Sequence, residues 1–179
     1  MTQNPTNQKE WHVITTRSRA EKKVHADLTA QQIESFLPLQ KRLRQWKDRK
    51  KWVDLPLISG YCFVHITRQE YEKVLNTNNV VTYVKFDGKP AQVPASQIEF
   101  LKKMLSQSDF EIEISHENFH SGKRVEIIDG PMIGIQGELI SCRGKNRFML
   151  RIKQMNTACL VEITADKLAV LPEKTIMES

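Results

Sequence analysis

The sequence predicts an α+β protein in two parts: a compact sandwich with helices packed on one face of a mostly antiparallel sheet, then a small five-stranded β-barrel. Three observations carry this. Strand-like segments and helical stripes take turns through residue 106, the pattern of an α+β layered unit. Residues 107–121, QSDFEIEISHENFHS, lose the helical period and turn acidic and polar, which marks a linker. Beyond them, five short strand-like segments fall within about fifty residues and fit a small barrel.

The elements follow in order. Residues 1–9 are polar and read as a disordered tail. Trp11 to Thr15 (WHVIT) forms a first strand. Ser18-x-x-Glu21 has the form of a capping box, in which the serine oxygen accepts from a first-turn amide and the glutamate reaches back. Ala20, Val24 and Leu28 then lie four apart and make one apolar stripe of a helix ending near Gln31 or Gln32. Ile33 to Leu39 is a second strand, with Pro38 marking an edge or a break. Lys41 to Trp52 (KRLRQWKDRKKW) is a basic hairpin with seven basic residues, one acidic residue and two interleaved tryptophans.

Tyr61 to Ile66 is a strongly apolar strand. Thr67-x-x-Glu70 is a second capping box, with Tyr71, Val74 and Leu75 at helical spacing after it. Val80 to Phe86 is a strand and Asp87-Gly88 a turn. Ser96-x-x-Glu99 is a third box, opening a helix whose apolar face is Ile98, Leu101, Met104 and Leu105. The domains are therefore expected at 10–106 and 122–172, with a linker at 107–121 and tails at 1–9 and 173–179.

The second part is organised around Lys123 to Leu139 (KRVEIIDGPMIGIQGEL). Alternation, an Asp-Gly-Pro turn and recurring glycines read as strand, tight loop, strand. Phe148, Leu150 and Ile152 then alternate inward, Leu160 to Ile163 forms another strand, and Leu168 to Leu171 closes the set before Pro172.

Composition narrows the function. Of 179 residues, 40% are hydrophobic and 27% charged, with net charge +6 and pI near 9.3, a mild bias toward a polyanionic partner. No apolar run approaches the ~20 residues of a membrane span, and no apolar signal core opens the chain. Cys62, Cys142 and Cys159 form no CxxC pair and read as reduced packing residues of a cytoplasmic protein. His116 and His120 stand four apart with no acidic or thiol partner at ligand spacing, so no metal site is expected. Gly144-Lys145 lacks the spacing of a phosphate-binding loop, and no motif places a catalytic triad or paired carboxylates. Neither a cofactor nor an enzymatic activity is expected.

Val125, Gly130-Pro131 and Gly134-x-x-Gly137 together resemble the KOW motif of small SH3-like barrels. Upstream, Trp11, Glu21-Lys22-x-Val24 and Pro56-Leu57-Ile58-Ser59-Gly60-Tyr61-x-Phe63-Val64 resemble the N-terminal domain of the NusG family, with matching domain order. Within that family, Phe36-Leu37-Pro38-Leu39-Gln40-Lys41 and Trp46-x-Asp48-Arg49-Lys50-Lys51 are similar to the specialised UpxY-type antiterminators of capsular polysaccharide operons, relatives of RfaH. The His-Thr-Thr segment of RfaH would fall near Glu70-Tyr71-Glu72 and is missing.

The resemblance implies a monomeric transcription factor that docks on the β′ clamp helices of RNA polymerase and suppresses pausing and termination. Tyr61, Phe63 and Phe86, with Trp11 and Thr15, are the residues expected to receive the polymerase. Lys41, Arg42, Arg44, Lys47, Arg49, Lys50 and Lys51, with Trp46 as a stacking face and Arg17 and Arg19 as additions, are expected to follow phosphates of non-template DNA or nascent RNA. The loop Met132, Ile133 and Ile135 is expected to meet ribosomal protein NusE or the termination factor Rho. The alternatives are a general NusG-like elongation factor, or a ribosome- or RNA-associated KOW protein using the same basic hairpin.

Overall fold

A computed structural model describes residues 8–107, 111–117 and 119–172. The expected tails therefore lie outside the described residues, apart from Gln8 and Lys9. The chain divides into two compact units, the first running to Ile98 and the second starting at Glu99.

The first unit opens with β1 (Glu10–Thr16) and α1 (Glu21–Ala30). Next come β2 (Glu34–Phe36), β3 (Leu39–Gln45), β4 (Lys50–Pro56) and β5 (Tyr61–Ile66). A 3-10 turn at Arg68–Glu70 leads into the short α2 (Tyr71–Leu75). It continues with β6 (Val80–Tyr83), β7 (Lys85–Phe86), β8 (Lys89–Pro90) and β9 (Gln92–Val93). The helix α3 (Ala95–Ser106) carries the chain into the second unit.

The central sheet has the order β2-β5-β1-β6, and β9 also pairs with β1; every pairing is antiparallel. Alternation sends Ile14, Cys62, Val64 and Ile66 to one face. There they join Val24 and Leu28 of α1 and Val74 of α2 in one buried cluster with Tyr83. The Tyr83 ring stacks on Tyr71 at 4.0 Å and its hydroxyl donates to the Tyr71 carbonyl, locking α2 to the sheet. Burial raises the Tyr83 hydroxyl well above its ordinary range, so the donor keeps its proton. The three cysteines are free and buried, and burial pushes the Cys62 and Cys159 thiols up to about 12.

One of the three expected capping boxes forms. Thr67 N–H donates to the Glu70 carboxylate at 2.9 Å, and this bond holds the Glu70 pKa below the usual range. Ser18 does not cap α1, whose N-cap is Ala20, because Glu21 turns inward to another partner. Ser96 lies inside α3 rather than ahead of it.

The second unit is a six-stranded sheet of β10 (Glu113–Ser115), β11 (Lys123–Ile127), β12 (Gln136–Cys142), β13 (Lys145–Ile152), β14 (Thr157–Val161) and β15 (Leu168–Val170). Its order is β10-β14-β13-β12-β11-β15, all antiparallel. Part of the stretch expected to be linker is thus strand β10. Glu113 holds it by ion pairs to Arg147 and, at 3.1 Å, to Arg143, while Arg147 also reaches Glu162 at 3.3 Å. The Arg147 hydrogen bond keeps the Glu113 carboxyl below its ordinary range. From α3, Phe100 stacks on Phe148 with centroids 5.8 Å apart, so this part of the helix packs within the second unit.

The glycine pattern has a packing cause at Gly137. It stands opposite Val125 in the β11–β12 ladder. A Cβ there would sit 2.4 Å from Cζ of the buried Phe148 ring and 2.7 Å from the Met149 carbonyl oxygen. Gly137→Ala is expected to destabilise the second unit by about 1–3 kcal/mol through overpacking. Gln136→Ala on the exposed neighbour should stay within about 0.5 kcal/mol. Urea denaturation of both variants, followed by amide signals of the second unit, checks this.

Candidate functional site

Three surfaces carry the expected site residues. The first is built on β1 and β5. Cross-strand partners share a face, so Trp11 with His65, Val13 with Phe63 and Thr15 with Tyr61 form rows on the side opposite α1. Tyr61 and Thr15 are half-buried, and Phe86 is 49% exposed on the β7–β8 hairpin. Phe63 is fully buried and Trp11 is 7% exposed. Both were named as candidate docking residues, a role that needs an exposed side chain. The period-2 pattern does place Tyr61 and Phe63 on one face, but this face is covered over Phe63 and open only toward Tyr61. Phe63 instead stacks on Phe36 across β2–β5 at 6.0 Å, and Trp11 stacks on His65 at 4.7 Å. These two residues are therefore packing residues of the same sheet face.

Tyr61 is positioned by a contact that the sequence reading missed. Gly60 adopts a left-handed backbone, φ +81°, and its N–H donates to the buried Glu21 carboxylate at 2.7 Å. Its carbonyl accepts from Thr16 N–H at 2.9 Å. The turn before Tyr61 is therefore pinned to the start of α1 and the end of β1 at once. The signal was present in Glu21-Lys22-x-Val24 and Ser59-Gly60-Tyr61, but nothing local links residues thirty-nine positions apart.

The second surface is the β3–β4 ribbon. Its register runs from Leu39 opposite Pro56 to Gln45 opposite Lys50, and Trp46 N–H donates to the Arg49 carbonyl at 2.8 Å to close the turn. Every residue from Lys41 to Trp52 is exposed, with Trp46 at 57% and Trp52 at 64%. Among the described residues, none of the ribbon's seven cations forms an ion pair. Arg17 and Arg19 are exposed on the loop after β1. Elsewhere in this unit, a groove of about 800 Å³ passes Glu10, His12, Tyr71, Glu72 and Lys89. Burial lowers the His12 pKa there, and its Nδ1 lies 3.2 Å from the Ala91 carbonyl oxygen.

The third surface is the β11–β12 loop. Gly134 N–H donates to the Ile127 carbonyl at 2.7 Å and Ile127 N–H to the Ile135 carbonyl at 2.9 Å, which closes a tight loop. Ile133 is 62% exposed and Ile135 half-buried, but Met132, expected at the tip, is buried. Its side chain anchors the loop instead of presenting it. Ile128 and Val170 are exposed apolar residues of the same unit that the sequence reading did not single out.

These features define a two-unit, mostly antiparallel α+β protein carrying an exposed, strongly cationic ribbon with seven basic residues and one acidic residue, Asp48, between Lys41 and Trp52. Residues 9–102, more than half of the chain, match the family described as transcription termination factor NusG. The chain belongs to the NusG family. Its fold is similar to that of Thermotoga maritima NusG, from a structure described as showing domain interaction, at a TM-score of 0.53 and 18% identity, covering 92% of this chain and 98% of that one. Two conformations of the MjSpt4:Spt5 complex align at 16% identity with TM-scores of 0.31 and 0.29, covering 90% and 91% of this chain and 97% of each of theirs. No curated protein matches.

Replacing Glu21 by Ala leaves the half-buried Gly60 N–H without its charged acceptor. This is expected to lower the stability of the first unit by about 1.5–3 kcal/mol, the range for hydrogen bonds to charged groups. Lys22→Ala on the same turn, exposed, should change it by less than about 0.5 kcal/mol. Denaturant midpoints of the two variants test the role of the bond.

Proposed function

We propose that this protein is a non-enzymatic transcription elongation and antitermination factor that binds RNA polymerase and suppresses pausing and termination on a particular operon. The observation that carries the reading is the family match, which spans the docking face and the cationic ribbon together. The β1–β5 face at Tyr61 and Thr15, together with the exposed Phe86 of the β7–β8 hairpin, receives the β′ clamp helices. Partly exposed aromatic side chains of this kind suit a helical tip. The ribbon follows phosphates of the non-template strand or the nascent RNA, and such contacts position the factor rather than specify sequence.

Operon specificity is supported by the similarity of Phe36 to Lys41 and Trp46 to Lys51 to UpxY-type antiterminators of capsular polysaccharide operons. In this reading β11 to β15 curl into an SH3-like KOW barrel, and its exposed Ile133 offers NusE or Rho a contact. The factor acts as a cytoplasmic monomer, without a cofactor or metal, and makes or breaks no bond.

Single-round transcription with matched bacterial RNA polymerase tests this on two templates, one with the gene's own operon leader and one with an unrelated leader, each ahead of a pause and a terminator. Read-through is expected to rise only on the cognate leader and to be lost in Tyr61→Ala/Phe86→Ala. An equal effect on both leaders would assign the general elongation role instead. An absence of any effect together with no polymerase binding would remove the transcriptional reading.

A further inference from the structure

We propose that the β3–β4 ribbon binds nucleic acid with one face only, and that this face takes a single strand. Its phosphates lie on Arg42, Arg44, Arg49 and Lys51, and a base lies on Trp46. The inference rests on the nucleic-acid role given to the ribbon above and adds which face, which residues and which form of nucleic acid.

Cross-strand partners share a face and alternate residues change face. The observed register therefore places Gln40 with Leu55, Arg42 with Val53, and Arg44 with Lys51 on one side. The Trp46–Arg49 hydrogen bond at the turn extends the same row, so Trp46 and Arg49 join that side. The other side holds Lys41 opposite Asp54, Leu43 opposite Trp52, and Gln45 opposite Lys50. One face thus carries four cations and no carboxylate. The other carries two cations, a carboxylate and an apolar pair.

Three further observations point to a strand on the cationic face. Arg44 and Lys51 stand directly opposite each other, a like-charge pairing that weakens a two-stranded ribbon. Guarding an exposed strand edge against aggregation needs charge but no such segregation. The Arg42 guanidinium is held by a neutral acceptor, since its Nε and Nη2 donate to Gln40 Oε1 at 3.2 and 3.0 Å, which fixes its plane and leaves its charge unneutralised. A cleft of about 400 Å³ is lined by Gln40, Arg42, Arg44 and Leu55 of this face, together with Leu43 of the other and Pro56 and Leu57 at the ribbon's base. An unpaired base enters such a cleft or stacks on an exposed indole, whereas a duplex keeps its bases inside the helix.

The test uses the full chain and labelled oligonucleotides of about fifteen nucleotides, as single-stranded DNA, RNA of the same sequence and duplex DNA, read by fluorescence anisotropy between about 50 and 200 mM salt. Arg42→Gln/Arg44→Gln is expected to weaken single-strand binding about tenfold or more and to flatten the salt slope by about 0.7 per lost phosphate contact. Lys41→Gln/Lys50→Gln, a pair counted above among the phosphate contacts, removes the same charge from the opposite face and is expected to weaken binding at least about threefold less than the first pair. Trp46→Ala should weaken binding, while Trp52→Ala should not. Preference for the DNA or for the RNA strand identifies the source, and either supports the proposal. Equal losses from both charge pairs, tighter binding of duplex, or no binding by the unaltered protein overturns it. Polymerase association measured on the same variants separates failure of this proposal from failure of the functional reading.

Discussion

The first unit depends on one hydrogen bond, from Gly60 N–H to the buried Glu21 carboxylate. A buried carboxylate is costly unless it is partnered, and an unpartnered backbone amide is costly for the same reason. Each group removes the other's penalty. Because Thr16 N–H reaches the Gly60 carbonyl from β1, the same turn ties the first strand, the first helix and the exit of the ribbon into one junction. Tyr61 follows immediately. The placement of the docking face and the root of the ribbon are therefore set by one turn pinned to the buried Glu21, and the positive φ of Gly60 explains why glycine occupies it.

The ribbon lives at the opposite extreme. A two-stranded ladder without a covering layer is marginal in water. Its base is held by Leu39 opposite Pro56 and by Leu57 N–H donating to the Pro38 carbonyl at 2.8 Å. Beyond that base the side chains contribute charge rather than burial. The unit thus combines a rigid sheet, which positions the docking face, with a loosely supported cationic arm. An arm that does not add to the core can carry like charges in register, a tolerance that no strand of the central sheet has.

Much of this was legible in the sequence because it is local. The basic hairpin, the Thr67-x-x-Glu70 box and the glycine loop between β11 and β12 declare themselves within a few residues. What was not legible is non-local. Glu21 looked like half of a capping box, yet its partner lies across the fold at Gly60. The acidic stretch taken for linker holds β10, because Glu113 finds Arg143 in the β12–β13 turn and Arg147 on β13, thirty and more residues later. Phe63 and Met132 show the limit of periodicity: alternation says which residues share a face but not how far along that face the cover extends.

The central claim is that the β1–β5 face, built on this junction, is where the polymerase docks. Amide hydrogen exchange of the full chain, with and without core RNA polymerase, tests it most directly. The account predicts slowed exchange at residues 60–63 and 82–90 in the complex, with the second unit's β12–β13 ladder unchanged. Protection confined to the second unit, or none at residues 60–63 while the proteins remain associated, would contradict it.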